Sequence, residues 1–497
     1  MIEKSQPAIH IERPAQTRID NLSVLFVLVS LLLGIGISLV VGEFGWITLI
    51  VIPVAALVIA TTWNPNLGLA TLVILIFIQL QRVVTEFHEL PGPGKPMVAF
   101  LVLVIGVRII LLNERPETWL KNSFILGVYL IFLIISAVTA SEFTPAVQEL
   151  VDVAQNLAVA SIVLFIIQRS PSLKSAIWAI IVAGMIMASI SVFQNLTGTF
   201  GNNYWGFGGW EYSGYVGRPR LTGPYETPNP YAQVLVLIFI LALDRLWHDR
   251  KPVLRLVSGY ATVICALAMI YTDSRGGFAN LVFTIVVFFI FNRPSFPALL
   301  ITLVIGMGLV QFLPSNYTDR ILTLTELNPF NQDANLVADE SFRGRTSENL
   351  AAWRMFLDHP IFGVGLNNFA EHYQEYSREI GLDNRREARD PASLYLQLLA
   401  DQGLIGTFVF LALILSVFAN LLRAYGDFKV AKMYDEMNIS AALFAALAGY
   451  MFMSLYRNNA YTNVFWVLIA VCMATMQVAY NSVQTDFETE ESMELSR

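Results

Sequence analysis

Five arginines draw attention first: Arg220 in Gly-Arg-Pro-Arg-Leu-Thr-Gly, Arg275 in Thr-Asp-Ser-Arg-Gly-Gly, Arg343 and Arg345, and Arg457 in Tyr-Arg-Asn-Asn. A guanidinium stays charged at any working pH and donates two parallel hydrogen bonds, which suits it to phosphate and carboxylate. Arg275 is followed by Gly276 and Gly277, which allow close approach and open an apolar helix whose N-terminal amides favour an anion. A snorkelling arginine, or one salt-bridged to Asp273, is the structural alternative. Arg218 and Arg220 lie in a turn rich in proline and glycine, where Asn229 is well placed to cap the next helix.

The elements that must hold these residues are set by composition. Of 497 residues, 55% are hydrophobic and 14% charged, against about 25% charged in a soluble domain. The chain therefore reads as an all-α polytopic membrane protein. Windows of about 19 residues place some 14 transmembrane helices beginning near Leu22, Trp46, Leu67, Met97, Leu120, Leu150, Leu173, Tyr231, Val253, Gly277, Phe296, Leu404, Ile439 and Tyr461. The runs after Leu67 and Gly277 are short and read as tilted or broken. The first run exceeds a signal-peptide core and lacks a small-x-small cleavage pattern, so it is expected to remain as a helix.

Positive charge sets the expected sidedness. With Lys4, Arg13 and Arg18 inside, the inner connections collect Arg115, Lys121, Arg169, Lys174, Arg245, Arg250, Lys251, Arg255, Arg293, Arg423, Lys429 and Lys432. The expected organisation is a cytoplasmic tail over 1–21, a membrane domain over 22–313 with an outer loop at 195–229, and a large outer (periplasmic) loop at 314–394. Membrane helices over 395–481 and an acidic cytoplasmic tail over 482–497 complete it. Arg220, Arg275, Arg343, Arg345 and Arg457 then all face outward, against the bias. An anion at the membrane surface is the simplest reason for them.

Within the large loop, Ser347 reads as an N-cap before Leu350, Trp353 and Leu357, with Pro360 ending the pattern. Gly363, Gly365 and Asn367 make a turn before a second helix striped by Phe369, Tyr373, Tyr376 and Ile380. This pair is expected to lie on the membrane domain as a lid. In the sixth span Asp152, Gln155 and Asn156 share one face, for structural pairing or an ion path.

Other chemistries are poorly represented. Cys265 and Cys472 sit in apolar runs, so neither a disulfide framework nor a metal site is read from them. None of the five histidines has a partner at metal-ligand spacing, no Gly-x-Ser-x-Gly occurs, and no metal or other cofactor is predicted. A net charge of −7 without a basic stripe speaks against nucleic acid.

Three stretches within and just beyond the large loop carry a family resemblance: Arg345-Thr-Ser-Glu-Asn-Leu-Ala-Ala-Trp353, His359-Pro-Ile-Phe-Gly-Val-Gly-Leu-Asn-Asn-Phe369, and Tyr395-Leu-Gln-Leu-Leu-Ala-Asp-Gln-Gly-Leu-Ile-Gly406. With Arg220-Leu-Thr-Gly223 to Asn229 and Ser274-Arg-Gly-Gly277 upstream, the order resembles the O-antigen ligase and O-antigen polymerase family of bacterial membrane proteins. The resemblance covers roughly residues 200 to 410. It implies a membrane glycosyltransferase of C-type architecture in the bacterial cytoplasmic (inner) membrane. The implied reaction is metal-independent transfer of a glycan from an undecaprenyl pyrophosphate carrier to an acceptor hydroxyl, on another glycan or on a lipid A-core. Arg220 and Arg275 would hold the pyrophosphate, and Asn229, Arg343, Arg345 and Arg457 would line the substrate site.

One departure bears on catalysis. The family carries a histidine ahead of Tyr-Leu-Gln-Leu-Leu that acts as base, and here Asp390-Pro-Ala-Ser-Leu places Ala392 at that position. Alanine takes no proton. The readings left open are an engineered inactive variant, a base elsewhere (Asp390, Glu387, His372 or Glu371), or a relative without transferase activity, such as an envelope scaffold. A transporter of inorganic carbon or another anion, as in some family members, is the alternative from a different class, although inverted repeats are not evident.

Overall fold

The computed structural model describes residues 59–213, 218–292, 340–382, 389–458 and 461–495, with Leu57, Phe296, Leu300 and Val304 besides. The span expected near Leu22, most of those near Trp46 and Phe296, the tail 1–21 and the loop segment 314–339 fall outside the described residues. The chain forms two units, Met1–Leu69 and Ala70–Arg497. In the first, Thr62 Oγ1 donates to the Ile59 carbonyl at 2.7 Å, and the Asn66 amide donates to Asn64 Oδ1 at 3.2 Å.

Helices dominate. Helix α1 (Pro65–Phe77) and α2 (Leu80–Phe87) are bent by 66° where Gln79 takes a left-handed conformation. Then come α3 (Gly94–Leu111), α4 (Glu117–Val138), α5 (Phe143–Ile166) and α6 (Ser170–Thr197). A hairpin of β1 (Trp210–Ser213) and β2 (Arg218–Leu221) comes next, its strands antiparallel with Glu211 opposite Arg220. The remaining helices are α7 (Pro228–His248), α8 (Pro252–Tyr271), α9 (Arg275–Phe291), α10 (Glu340–Asp358), α11 (Phe369–Ile380), α12 (Leu394–Val430), α13 (Tyr434–Met453) and α14 (Asn463–Leu495).

Nine described helices are long and apolar enough to cross a membrane, or ten with the bent pair counted as one span. Every expected start within the described residues lies in or next to a helix, but Leu404 falls well inside α12, which begins at Leu394; α1, at 13 residues, and α9, at 17, are the short ones. The protein is a multi-pass membrane protein. The hairpin is an addition to the all-α expectation, and α14 runs on into the segment expected as a tail.

Helices α7, α13 and the apolar part of α14 are mostly buried, whereas α3 exposes Val102, Leu103, Ile110 and Leu111. Lipid is as apolar as leucine, so helix association rests on close fit and polar contacts. Gly449 of α13 faces Thr284 of α9, where a Cβ would fall 2.0 Å from the hydroxyl. Gln477 of α14 accepts from Asn122 of α4 at 2.8 Å and donates to the Leu164 carbonyl at 2.9 Å. At the end of the bundle where α5 meets α6, Lys174 and Arg245 grip Asp435 at 2.5 and 2.7 Å.

At the other end α12 is broken. Gly403 has φ 62° and ψ −163°, a region that essentially only glycine occupies. In a continuous helix Leu404 would bond Ala400, and Ile405 would bond Asp401. Instead the Leu404 and Ile405 amides donate to Pro360 and Ile361 at 2.8 and 3.3 Å, while the Ala400 and Asp401 carbonyls accept from Val364 and Gly365, both at 2.9 Å. The Pro360–Gly365 turn thus substitutes for the missing half of the helix ladder. On its far side Ser141 donates its amide to the Val364 carbonyl at 3.1 Å.

The helix pair α10–α11 is held on α12 by this turn and by a small core of Ala351, Ala352, Met355, Val364, Phe369, Tyr373 and Ala400. The expected stripe on α11 is the packed one. On α10 it is not: Trp353 and Leu357 are exposed, and the alanines beside them form the buried face. Small residues there let the helices approach closely. Ser347 is no cap either, because α10 starts at Glu340; its hydroxyl is buried and accepts from Tyr373 at 3.2 Å.

Replacing Gly403 with alanine should destabilise the protein by about 1–3 kcal/mol through backbone strain alone. The new Cβ would also lie 2.4 Å from the Ile361 carbonyl oxygen. Gly426→Ala, in the same helix with open space around it, is the control. Thermal unfolding in detergent should separate the two; equal melting temperatures would refute the role given to the break.

Candidate functional site

The candidate site is at the end of the bundle where α8 gives way to α9. Thr272, Asp273 and Ser274 connect the two helices and are all buried. Asp273 adopts φ 51°, so the chain reverses within three residues. Ser274 is the N-cap of α9: its Oγ accepts from the Gly277 amide at 3.0 Å and donates to Asn229 Oδ1 at 2.8 Å. Asn229 is therefore not the cap expected from the sequence. Helix α7 already begins at Pro228, and Asn229 turns its amide oxygen sideways to the next turn.

The hairpin delivers two arginines to this turn. Arg218 forks onto Asp273, its Nε 2.9 Å from Oδ2 and its Nη2 against Oδ1. Arg220 donates from Nε to the Thr272 carbonyl at 3.0 Å and from Nη1 to Glu211 Oε1 at 2.9 Å. Its guanidinium is thus oriented by a carbonyl and by the carboxylate directly across the hairpin. Arg275, half-buried, is the first residue of α9. Close packing fixes this helix start, since a Cβ on Gly277 would lie 2.7 Å from that of Ala232 on α7. Arg220, Asn229 and Arg275 are brought together around one turn, where cations and a helix N-terminus converge.

A second group of candidates lies where α12 starts. The Leu394 amide donates to the carbonyls of Ser454 and Arg457, both at 3.0 Å, tying the segment before α12 to the α13–α14 connection. Ala392 is half-buried between buried Pro391 and Ser393. Asp390 accepts a hydrogen bond from Asn458, yet partial desolvation outweighs it and holds the carboxyl above its ordinary range. Glu149 of α5 and Asp401 of α12 lie within electrostatic reach of Asp390. Asp401 is fully buried, with Oδ1 accepting from the Phe369 amide at 2.9 Å and Oδ2 without a partner among the described residues. Gln402 donates to the Tyr461 hydroxyl at 2.7 Å.

The remaining candidates scatter. Arg345 is exposed on α10, while the side chain of Arg343 and the whole of Glu387 fall outside the described residues. Arg389, beside Asp390, is bound to Glu348 at 2.7 Å. His372 meets Ser141 Oγ at 2.7 Å, at the contact between α11 and the α4–α5 corner, and Glu371 is exposed. Asp152 and Gln155 are exposed on α5, and Asn156 donates to the Tyr461 carbonyl at 2.8 Å.

Sequence reasoning missed Glu211, Glu149 and Asp401. The alternation of Glu211 with Arg220 becomes visible only once strands pair. The carboxylates of Glu149 and Asp401 sat inside apolar runs, which is itself the signal that could have found them.

No curated protein matches the chain significantly. Residues 260–411 match the family described as O-Antigen ligase. That stretch, under a third of the chain, runs from within α8 through Arg275, the α10–α11 pair and Ala392 to beyond the break at Gly403.

Proposed function

We propose that the protein transfers a glycan from an undecaprenyl pyrophosphate carrier to an acceptor hydroxyl at the outer face of the bacterial cytoplasmic membrane, as a polysaccharide polymerase or O-antigen ligase. The observation that carries this reading is that Arg220 is bonded to the Thr272 carbonyl of the same tight turn from which Arg275 starts α9. In the transfer an acceptor oxygen bonds to the anomeric carbon, the bond from that carbon to the phosphate oxygen breaks, and its electron pair leaves with the pyrophosphate. Charge grows on the leaving group, and fixed guanidinium donors beside it need no reorganisation to stabilise it. Arg218 has a different task, because it is engaged with Asp273 and keeps the turn in shape.

The acceptor proton needs a destination that Ala392 cannot supply. Asp390, two residues away and held above the ordinary carboxylate range, fits that task better than a fully solvated aspartate. Helices α10 and α11, docked beside it through the Pro360–Gly365 turn, would shape the glycan and acceptor sites as a lid. With both termini cytoplasmic, this end of the bundle faces the periplasm, where a lipid-linked glycan is presented.

Arg220→Ala and Arg275→Ala should each lower transfer from a lipid pyrophosphate-linked glycan by about 10²–10³-fold while the melting temperature in detergent stays near that of the wild type. Full activity in both variants would sink the mechanism.

Because a base works ionised, transfer should fall as pH drops through the Asp390 pKa, at a higher pH than the roughly 3.9 of a free aspartate. Asp390→Asn should remove that acid limb and cost about 10²–10⁴-fold in rate, and adding Ala392→His should restore much of it. An unchanged pH profile in Asp390→Asn would place the base elsewhere.

A further inference from the structure

The large apolar residues that mark α10 in the sequence are not the ones that hold it in place. Its buried face is Ala351, Ala352 and Met355, while Trp353 and Leu357 remain 45% and 57% exposed. Ile361 and Phe362, in the turn that follows, are exposed as well. Trp353 leans on Phe356, with ring centres 5.3 Å apart. The charged residues interleaved with this stripe are engaged with α11: Arg354 bonds Glu379 at 3.4 Å, and Asp358 accepts from the Tyr376 hydroxyl at 2.8 Å. His359 adds an exposed polar residue at the helix end. Four large apolar side chains are left along one edge of the helix pair.

Helix α12 gives the depth of that edge. Between Asp401 and Arg423 no residue is charged. The helix from Leu404 to Leu422 is about 28 Å long at about 1.5 Å per residue, close to the roughly 30 Å of bilayer hydrocarbon. Leu404, Ile405, Phe408, Leu415 and Leu422 are exposed along it and mark its lipid face. The break at Gly403 therefore falls at one boundary of the hydrocarbon. The turn is tied to the same level, because the Leu404 and Ile405 amides donate to the Pro360 and Ile361 carbonyls at 2.8 and 3.3 Å. Ile361 and Phe362 thus continue, onto the turn and α10, the apolar surface that α12 presents to lipid.

We propose that the edge formed by Trp353, Leu357, Ile361 and Phe362 is seated in the membrane interface, in the leaflet at the Gly403 end of α12, which makes α10 an interfacial helix. This leaflet is the outer one in the orientation proposed above. The partner is the bilayer itself. In water the edge would leave a contiguous apolar patch of the kind that marks an interaction site. Interfacial helices bury such a face about 5–10 Å into the boundary between headgroups and acyl chains, and tryptophan is enriched at that level. Burial of the alanine face against its neighbours already fixes the rotation of α10, so the seating needs no rearrangement. The seating sets the height of the helix pair and stands whether or not the protein transfers glycans.

The test uses the full chain in lipid nanodiscs, with an environment-sensitive fluorophore on a cysteine introduced by Trp353→Cys or Leu357→Cys. Both substitutions alter exposed side chains, and Cys265 and Cys472 are buried. Leu415→Cys, on the lipid face of α12, and Glu375→Cys, exposed on α11, are the lipid and water references. The quenchers are phospholipids carrying a nitroxide high or low on the acyl chain and a water-soluble nickel chelate. At positions 353 and 357 the shallow nitroxide should remove several times more emission than at position 375, and the chelate should remove less. Position 415 should be quenched best by the deep nitroxide. Dominant quenching by the chelate at 353 and 357 would place the edge in water and overturn the proposal. Protection from every quencher would overturn it too, by showing that protein covers the edge.

Discussion

Four backbone hydrogen bonds across the break in α12 join the parts of this protein that could act together. At Gly403 the helix gives up two of its own bonds, and the Pro360–Gly365 turn takes both the freed amides and the freed carbonyls. Unpaired backbone groups at a membrane end are costly, several kcal/mol each in hydrocarbon, so turn and helix specify one another. Everything nearby inherits its position from this exchange. The turn leads into α11, Asp401 caps the start of α11 through the Phe369 amide, and the segment carrying Asp390 and Ala392 closes the path back to α12.

The arginine turn obeys a related logic with charges in place of backbone groups. Asp273 and Ser274 are buried between α8 and α9 and would be expensive there without partners. Arg218 satisfies the aspartate, and Asn229 with the Gly277 amide satisfies the serine. The result is a stiff corner on which Arg220 and Arg275 are mounted. Stiffness matters for the proposed chemistry, since donors already in place stabilise a developing charge without first rearranging.

Much of the fold was legible in the sequence because lipid imposes long apolar runs, and the expected runs within the described residues lie on helices, although α5 and α12 begin ahead of them. What was not legible depends on partners distant in the chain. The hydropathy of α12 is continuous through Gly403, so the break shows only when the Pro360–Gly365 turn is set against it. Ser347 and Asn229 have the side chains of caps, yet helices begin ahead of them, at Glu340 and Pro228, and both residues serve neighbouring elements instead. On α10 the large apolar residues misled, since close approach of helices selected Ala351 and Ala352 over Trp353. At the site, arginines on the expected outer face, against the charge bias, were visible in the sequence as candidates. Their division of labour was not, because Arg218 and Arg220, two residues apart on one strand, share a face of the hairpin and differ only in meeting Asp273 or Thr272.

The central proposal is that a pyrophosphate sits at the start of α9. The most direct measurement is a cryo-electron microscopy structure of the protein incubated with undecaprenyl pyrophosphate. Density for the diphosphate within about 3 Å of the Arg220 and Arg275 guanidiniums, with the lipid tail running along the bundle, is the expected result. A carrier bound with its diphosphate away from both arginines, or no bound carrier at saturating concentration, would contradict it.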